Sequence, residues 1–388
     1  MLRMEMTPPM RFLIFFSTVL GIWLVFHLYV GWRLWSLPWI DSPNGHRALV
    51  VALSFTYVSY PLGRYLLNHG LPLTGRILEY GGAVWMGVLI LLLSALGLVD
   101  LVTLFGLVLK PWVMTLKTGA VVVALLLAGV AWIGGAVRPR IVDVAVPMPN
   151  LPAEADGTVV VQLSDLHLGS LIGKRRLQSV IEQIGEQKPD LVVVTGDLID
   201  SDAGAMGKLV PELSTLTAPF GVFSVLGNHE YYAGADRSRK LMRDAGFTVL
   251  DNRAVQLKEG RWIAGVADRG GGRQTVGLEA DLESALAGVP RDTAIIFLQH
   301  TPGNEEAAAA AGVGLMLNGH THGAQIWPAH YLVRLAFPHL SGIHKVGSMT
   351  QIVCRGAGQW GPPMRLFAPS EIYRVTLRSP GALNIPDD

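Results

Sequence analysis

Long apolar runs fill the first third of the chain, and short ones fill the rest. Phe12–Trp32, Ala48–Gly63, Tyr80–Val99 and Thr118–Val137 contain no charged residue. Crossing a bilayer takes a helix of about 20 predominantly apolar residues. Three runs meet that length, and the second approaches it once Arg47 and Arg64 snorkel from its ends. The pattern predicts an all-α bundle of about four transmembrane helices within residues 1–144. Leu101–Leu109 is too short for a further span and reads as an interfacial or re-entrant piece. A cleavable signal would account only for the first run, whose length and tryptophan-rich flank fit a retained anchor better. Trp23, Trp32, Trp35, Trp39, Trp85 and Trp112 suit the aromatic belts of a membrane protein. His27, alone inside the first run, reads as packing.

From about residue 145 the pattern changes. TVVVQLSD reads as a strand, KRRLQSVIEQIGEQ as a helix and DLVVVTGD as a strand. AMGKLVPELSTL is a helix, GVFSVLGNHE a strand and RSRKLMRDAG a helix. Strands near 247–250, 254–258 and 261–266 follow, then GLEADLESALAG (helix), DTAIIFLQH (strand), NEEAAAAAG (helix) and GLMLNGH (strand). Strands alternating with helices predict a layered α/β domain over 145–388. Their continuous apolar character predicts a sheet covered on both faces. Pro147–Ala155 reads as a linker.

Composition changes this picture in three ways. Half of the 388 residues are hydrophobic and 16% are charged, an excess of grease that the N-terminal runs explain. The net charge of +1 gives no reason to expect a nucleic-acid partner. Cys354 is the only cysteine, which rules out an intrachain disulfide; no disulfide-linked partner is expected, and the residue reads as a small buried apolar group. With the N-terminus inside, Arg3, Arg11, Arg64, Arg76, Arg138 and Arg140 flank the spans on the inner side, and Arg33, Arg47, Lys110 and Lys117 on the outer. That balance favours a multi-pass membrane protein with its C-terminal domain in the cytoplasm.

Candidate chemistry gathers at the strand ends. The strand at 158–164 ends in Asp165 and His167, that at 191–195 in Asp197 and Asp200, and that at 221–226 in Asn228 and His229. The strand at 293–298 ends in His300, and that at 314–318 in His320 and His322. Carboxyl ends of strands in α/β folds face one crevice, so five strands deliver carboxylate, amide and imidazole to one rim. In extended chain His320 and His322 lie on one face, and Gly319 and Gly323 let the backbone turn beneath them. Any one of these motifs alone fits a turn, an N-cap or a core histidine. All five in order point to metal. Mixed Asp, His and Asn donors without thiolate suit divalent Mn, Fe or Zn. A central aspartate can bridge two such ions, the arrangement used for in-line phosphoryl transfer.

The ordered set KPDLVVVTGDLID, GNHEYYAG, GHTHGAQ and RLFAPSEIYRVTL resembles the calcineurin-like metallophosphoesterase superfamily over about 155–378. It is closest to the bacterial membrane-associated branch and to animal transmembrane proteins with such a domain. The resemblance implies a four-layer β-sandwich flanked by helices, with strands around 247–266 and 351–377 in its second half. It implies that Asp165, His167, Asp197 and His322 hold one metal and that Asp197, Asn228, His300 and His320 hold the other. It implies that His229 faces the substrate as a general acid and that Asp200 orients a ligand histidine. Ala324 and Glu230 stand where the branch often has Gly and Asp, with consequences expected for substrate fit and not for the metals.

These readings predict a metal-dependent hydrolase of a phosphoester or pyrophosphate, anchored in a membrane; the anchor favours a lipid-linked substrate or phospholipid headgroup, with a soluble nucleotide or generic phosphodiester as the alternative. UDP-2,3-diacylglucosamine hydrolases carry a similar motif set and exemplify a lipid-linked substrate. The rival reading is a non-catalytic scaffold, which would require eroded ligands. A transporter or sensor would require paired charges in the membrane runs, and the runs carry none. Lys174, Arg175 and Arg176, just after DLHLGS, are expected either to hold an anionic substrate or to form a solvated helix face, and Arg237, Arg239 and Lys240 read as solvated. The apolar stretch 327–346, with His330, His339 and His344, follows the metal loop and is expected either to meet lipid or to pack on the sandwich.

Overall fold

The structure is a computed structural model that describes residues 8–200, 206–258, 260–268 and 280–380. The helices expected from 205 and from 277 therefore begin outside the described residues, as does Arg3. The chain forms two compact units, 1–136 with 361–366 and 137–360 with 367–388.

The first unit holds four helices, α1 (Pro8–Trp35), α2 (Pro43–Leu67), α3 (Pro72–Thr103) and α4 (Val113–Ala136). Ser17–Trp35, Pro72–Thr103 and Lys110–Ala136 are long and apolar enough to cross a membrane. α2 is 25 residues long, but His46, Arg47, Pro61 and Arg64 dilute it, so three spans stand by composition against about four expected. A Cβ added to Gly63 would strike the backbone of Glu79, and one added to Gly82 the backbone of Tyr60, so α2 and α3 pack backbone to backbone through small residues. The piece read as separate after Asp100 instead completes α3 as far as Thr103 and then turns, with left-handed backbone at Leu104, Phe105 and Leu109.

The expectation of unpaired membrane runs is corrected. Arg33 pairs with Asp100, to which Tyr29 also donates at 2.6 Å, and Arg64 pairs with Glu79 at 2.9 Å. Arg33, Asp100 and Glu79 are buried. These charges lie at run ends, so pairing between helices is invisible to a reading of each run alone. His27 is satisfied locally: one ring nitrogen bonds Trp23 O and the other accepts from Trp85 Nε1 at 2.9 Å.

The second unit starts earlier than its pattern suggests. β1 (Arg140–Pro147) occupies the expected boundary at 144/145 and the first residue of the expected linker, and only residues 137–139 separate it from α4. Its burial is mixed, as an edge strand's is, which hides it beside the apolar helices. The remaining elements are β2 (Val159–Leu163), α5 (Lys174–Glu186), β3 (Leu191–Thr195), α6 (Val210–Leu213), β4 (Val222–Val225), α7 (Asn228–Ala233), α8 (Ala235–Asp244), β5 (Thr248–Val249), β6 (Arg253–Lys258) and β7 (Arg261–Gly265). They continue through α9 (Leu282–Leu286), β8 (Ala294–Leu298), α10 (Glu305–Ala310), β9 (Leu315–Asn318), α11 (His330–Ala336), β10 (Gly342–Val346), β11 (Met349–Val353) and β12 (Glu371–Arg378).

Two six-stranded sheets result, in the orders β1-β12-β2-β3-β4-β5 and β10-β11-β9-β8-β7-β6. β2, β3 and β4 are parallel, as are β7, β8 and β9. Successive side chains point to opposite faces of a strand, so Val160, Leu191 and Val193 meet Ile263, Ile296 and Leu317 between the sheets. Val161, Val192 and Val194 pack outward with Leu177, Val180 and Ile184 of α5. Ile295, Phe297 and Met316 of the second sheet pack outward with Ala285 and Ala308. The layers are therefore helix, sheet, sheet, helix. Two strands depart from expectation: β5 and β12 join the first sheet, not the second. β12 covers the open edge of β2, antiparallel to it and parallel to β1.

Candidate metal centre

The carboxyl ends of β2, β3 and β4 from one sheet meet those of β8 and β9 from the other. Asp165, His167, Asp197, Asn228, His300 and His322 are buried there and His320 is half-buried. The backbone is unusual at these positions. Asp165, His167, Asp197, His320 and His322 all have φ between 49° and 72°, the left-handed region that residues with a Cβ avoid. Such strain persists only where the surroundings fix it. Asp165 N–H donates to Gly196 O at 3.0 Å, His167 N–H to Asp197 O at 3.0 Å and His320 N–H to Asp165 Oδ1 at 2.9 Å.

Ligand atoms converge in groups. Asp165, His167 and His322 form one, Asp197, His300 and His320 another, and each group lies within 4.8 Å. His167 Nε2 and His322 Nε2 are 3.0 Å apart, and His322 Nε2 is 3.6 Å from Asp165 Oδ1. His300 Nε2 stands 3.2 Å from each of Asp197 Oδ2, Asn228 Oδ1 and His320 Nδ1. Donors bonded to one ion at about 2.1 Å sit roughly 3 Å apart, so these separations fit a shared cation. Asp197 Oδ2 also lies 3.8 Å from His167 Nε2, between the two groups. Close approach at Asp197 and Asp165 requires glycine: a Cβ on Gly227 would collide with Asp197 Oδ1, and one on Gly319 with Ser164 Oγ and Asp165 Oδ2.

The electrostatics also call for a cation. Burial, and then the His300 and Asp197 charges acting oppositely, leave the Asp165 carboxyl raised to about 6. The buried Asp197 carboxylate repels that of Asp165, and a divalent ion would relieve the repulsion. Burial pulls His167 down to about 3 and, helped by His300, His320 to about 4, so these two imidazoles are neutral, whereas against its own burial the Asp197 charge holds His300 well above its usual value, a proton that a bound cation would displace. His300 Nδ1 bonds Thr195 O at 2.8 Å, which turns Nε2 toward Asp197 and Asn228. A carbonyl behind a ligand histidine fixes the tautomer in this way.

His229 is held differently. Its N–H donates to Asp197 Oδ1 at 2.9 Å, and its Nδ1 bonds Asp200 Oδ1 at 3.0 Å. Asp200 thus orients His229, which stands beside the expected ligand histidine His167. Burial lowers the His229 pKa, but the Asp200 bond and the charges of Asp197, Asp200 and Glu230 outweigh it, and the net shift is upward. His229 also falls within 4.8 Å of ligand atoms of His167 and Asp197.

Several residues matter here that sequence reasoning passed over. Glu230 accepts the backbone N–H groups of Asp197, Ile199 and Gly227 at 2.8–2.9 Å, tying the β3 loop to the β4 loop. Tyr232 and Trp360 flank His229 with ring centroids 5.3 and 5.8 Å away, and Phe337 lies 5.4 Å from His320. Tyr232 sits in the GNHEYYAG motif and Phe337 in the apolar stretch 327–346, whereas Trp360 sits in neither. Arg176, expected to hold substrate or to be solvated, instead donates to Ala357 O at 3.2 Å; Lys174 pairs with Glu212, and Arg239 with Asp251. His339 and His344 stack on each other and His330 on Tyr331; none joins a ligand group among the described residues. Cys354, just past β11, is a buried thiol that donates to Glu371 O at 3.6 Å and accepts from Gly356 N–H at 3.3 Å.

A helix–sheet–sheet–helix sandwich with Asp/His clusters at the joined strand ends defines the metallophosphoesterase class. The chain belongs to the calcineurin-like phosphoesterase family, which matches residues 158–324. It is similar to an uncharacterized metallophosphoesterase of Aquifex aeolicus, 37% identical over 57% of this chain and 85% of the relative. It is also similar to a transmembrane protein with metallophosphoesterase domain of Danio rerio, 32% identical over 67% of this chain and 62% of the relative. Among solved structures, a putative 5′-nucleotidase of Staphylococcus aureus covers 59% of this chain and 56% of its own at 15% identity and a TM-score of 0.38, a likeness too slight to argue from. By family, the protein is a phosphoester hydrolase.

Proposed function

We propose that the protein is a membrane-anchored phosphohydrolase with two divalent ions, Mn, Fe or Zn, that cleaves a phosphoester or pyrophosphate bond in a lipid-linked substrate. The observation that carries this reading is the pair of ligand groups on either side of Asp197, whose Oδ2 lies 3.2 Å from His300 Nε2 and 3.8 Å from His167 Nε2. Asp165, His167, His322 and Asp197 would hold one ion, and Asp197, Asn228, His300 and His320 the other. Bound ions supply positive charge that polarises phosphorus and makes water a nucleophile near neutral pH. The remaining chemistry belongs to side chains. Water adds to phosphorus, the bond to the leaving oxygen breaks, and His229 gives that oxygen its proton before being reprotonated from solvent. Asp200 holds the imidazole in place and favours its charged form.

Helices α1, α3 and α4 support the anchor, as does the similarity to a protein named for its transmembrane character. The catalytic domain faces the cytoplasm in this reading. That sidedness counts α2 as a fourth span: Arg76, Arg138 and Arg140 are then exposed on the inner side, whereas Arg33 and Lys117 on the outer are buried. The test is turnover by the full-length protein in detergent with manganese. Bis-p-nitrophenyl phosphate, p-nitrophenyl phosphate and a panel of lipid phosphoesters should include at least one substrate, with activity abolished by chelator and by His229→Ala. Turnover that survives chelation would overturn the reading.

A further inference from the structure

The chain leaving the metal loop builds a short exposed helix that no described residue of the catalytic domain covers. In α11, Tyr331, Leu332 and Leu335 are 62%, 73% and 82% exposed. Positions i, i+1 and i+4 share one side of a helix, so these three make one apolar face. Trp327 and Phe367, their rings 6.2 Å apart, are also exposed, Phe367 at 72%. Single exposed apolar residues need no explanation, but a cluster of large ones beside a cleft marks a contact surface. The cluster is tied to the metal centre at both ends: Trp327 lies five residues beyond His322 in the chain, and Phe337, which closes α11, packs its ring 5.4 Å from that of His320.

Charge identifies the occupant. From Trp327 to Val346 there is no Asp or Glu, while Arg334 and Lys345 are exposed. An apolar helix face with exposed cations complements an anionic bilayer surface. The tether agrees, because α4 hands the chain to β1 through residues 137–139 alone. Three residues span only about 10 Å, so once the helices are in a bilayer the catalytic domain stays beside it. We infer that the α11 face inserts into the anionic lipid surface and holds the metal rim at headgroup depth, so that the phosphoester cleaved is one whose acyl chains remain in the membrane. This rests on the phosphohydrolase reading for the substrate, but the insertion itself does not.

The test uses the full-length protein in phosphatidylcholine–phosphatidylglycerol vesicles. Cys354 is buried, so Leu335→Cys gives one reactive site for an environment-sensitive fluorophore. Insertion predicts a blue-shifted emission and loss of intensity when vesicle lipids carry a nitroxide near the headgroup. A water-like emission without quenching would overturn the inference. So would a blue-shifted emission that lipid nitroxides do not quench and that disappears on diluting the protein in lipid, because that result seats a second copy of the chain on the face. A second variant reads the consequence for substrate: Leu332→Asp with Leu335→Asp should lower turnover of a vesicle-borne phosphoester about tenfold or more relative to a soluble nitrophenyl ester. An unchanged ratio overturns the substrate half. Quenching in a protein that hydrolyses no ester would instead count against the phosphohydrolase reading and leave the insertion standing.

Discussion

His229 and Glu230 are neighbours in the chain with separate tasks. His229 contacts Asp200 and Asp197 and is the candidate proton donor, so His229→Ala is expected to lower kcat by about 10²–10⁴-fold without lowering the metal content of the purified protein; loss of metal together with activity would make His229 a ligand instead. Glu230 is buried and accepts three backbone N–H groups from two loops. Each buried N–H left unpaired costs about 1–3 kcal/mol. Glu230→Ala is therefore expected to destabilise the catalytic domain by roughly 3–5 kcal/mol, read as a lower melting temperature, with Glu230→Gln intermediate because it keeps one acceptor oxygen. Both residues stand in the quoted GNHEYYAG motif, yet only His229 was assigned chemistry. Imidazole announces chemistry by its type, whereas a carboxylate that serves backbone donors is distinguishable only when the loops are seen together. Gly227 belongs to the same lesson: Gly227→Ala is expected to push the Asp197 carboxylate aside and reduce bound metal per chain, checked by elemental analysis.

At the scale of elements, periodicity located the strands that carry the ligands, because β2, β3, β8 and β9 are continuous apolar runs each followed by a polar loop. It could not assign β5 and β12 to their sheet. A strand's own residues say that it is half-buried, and which edge it covers is decided by partners distant in sequence. The same blindness hid the helix pairs. Arg33–Asp100 joins residues 67 apart, and neither residue is remarkable within its own run. Removing one partner of a buried pair leaves an uncompensated charge at a cost of about 3–5 kcal/mol, while replacing both by apolar residues is often neutral. Asp100→Leu is expected to lower the melting temperature of the full-length protein in detergent markedly. Adding Arg33→Met should restore most of the loss, and failure to restore it would mean that the pair does more than neutralise itself.

For the molecule as a whole, the division of labour follows from where charge is absent. Apolar helices account for the excess of hydrophobic residues, and the catalytic domain concentrates its buried polar groups at one rim between two sheets. That rim depends on both sheets: Asp165, His167, Asp197 and Asn228 come from the first, and His300, His320 and His322 from the second. Five of these residues hold left-handed backbone that their own side chains disfavour, which is why the motifs are legible as chemistry but not as conformation. The central claim is that the seven residues hold two ions through a shared Asp197. Elemental analysis of purified full-length protein after manganese loading tests it most directly, beside Asp197→Ala. The account predicts about two ions per chain in the parent and fewer than one in the variant. One ion per chain in a fully active parent, or undiminished metal in Asp197→Ala, would contradict it.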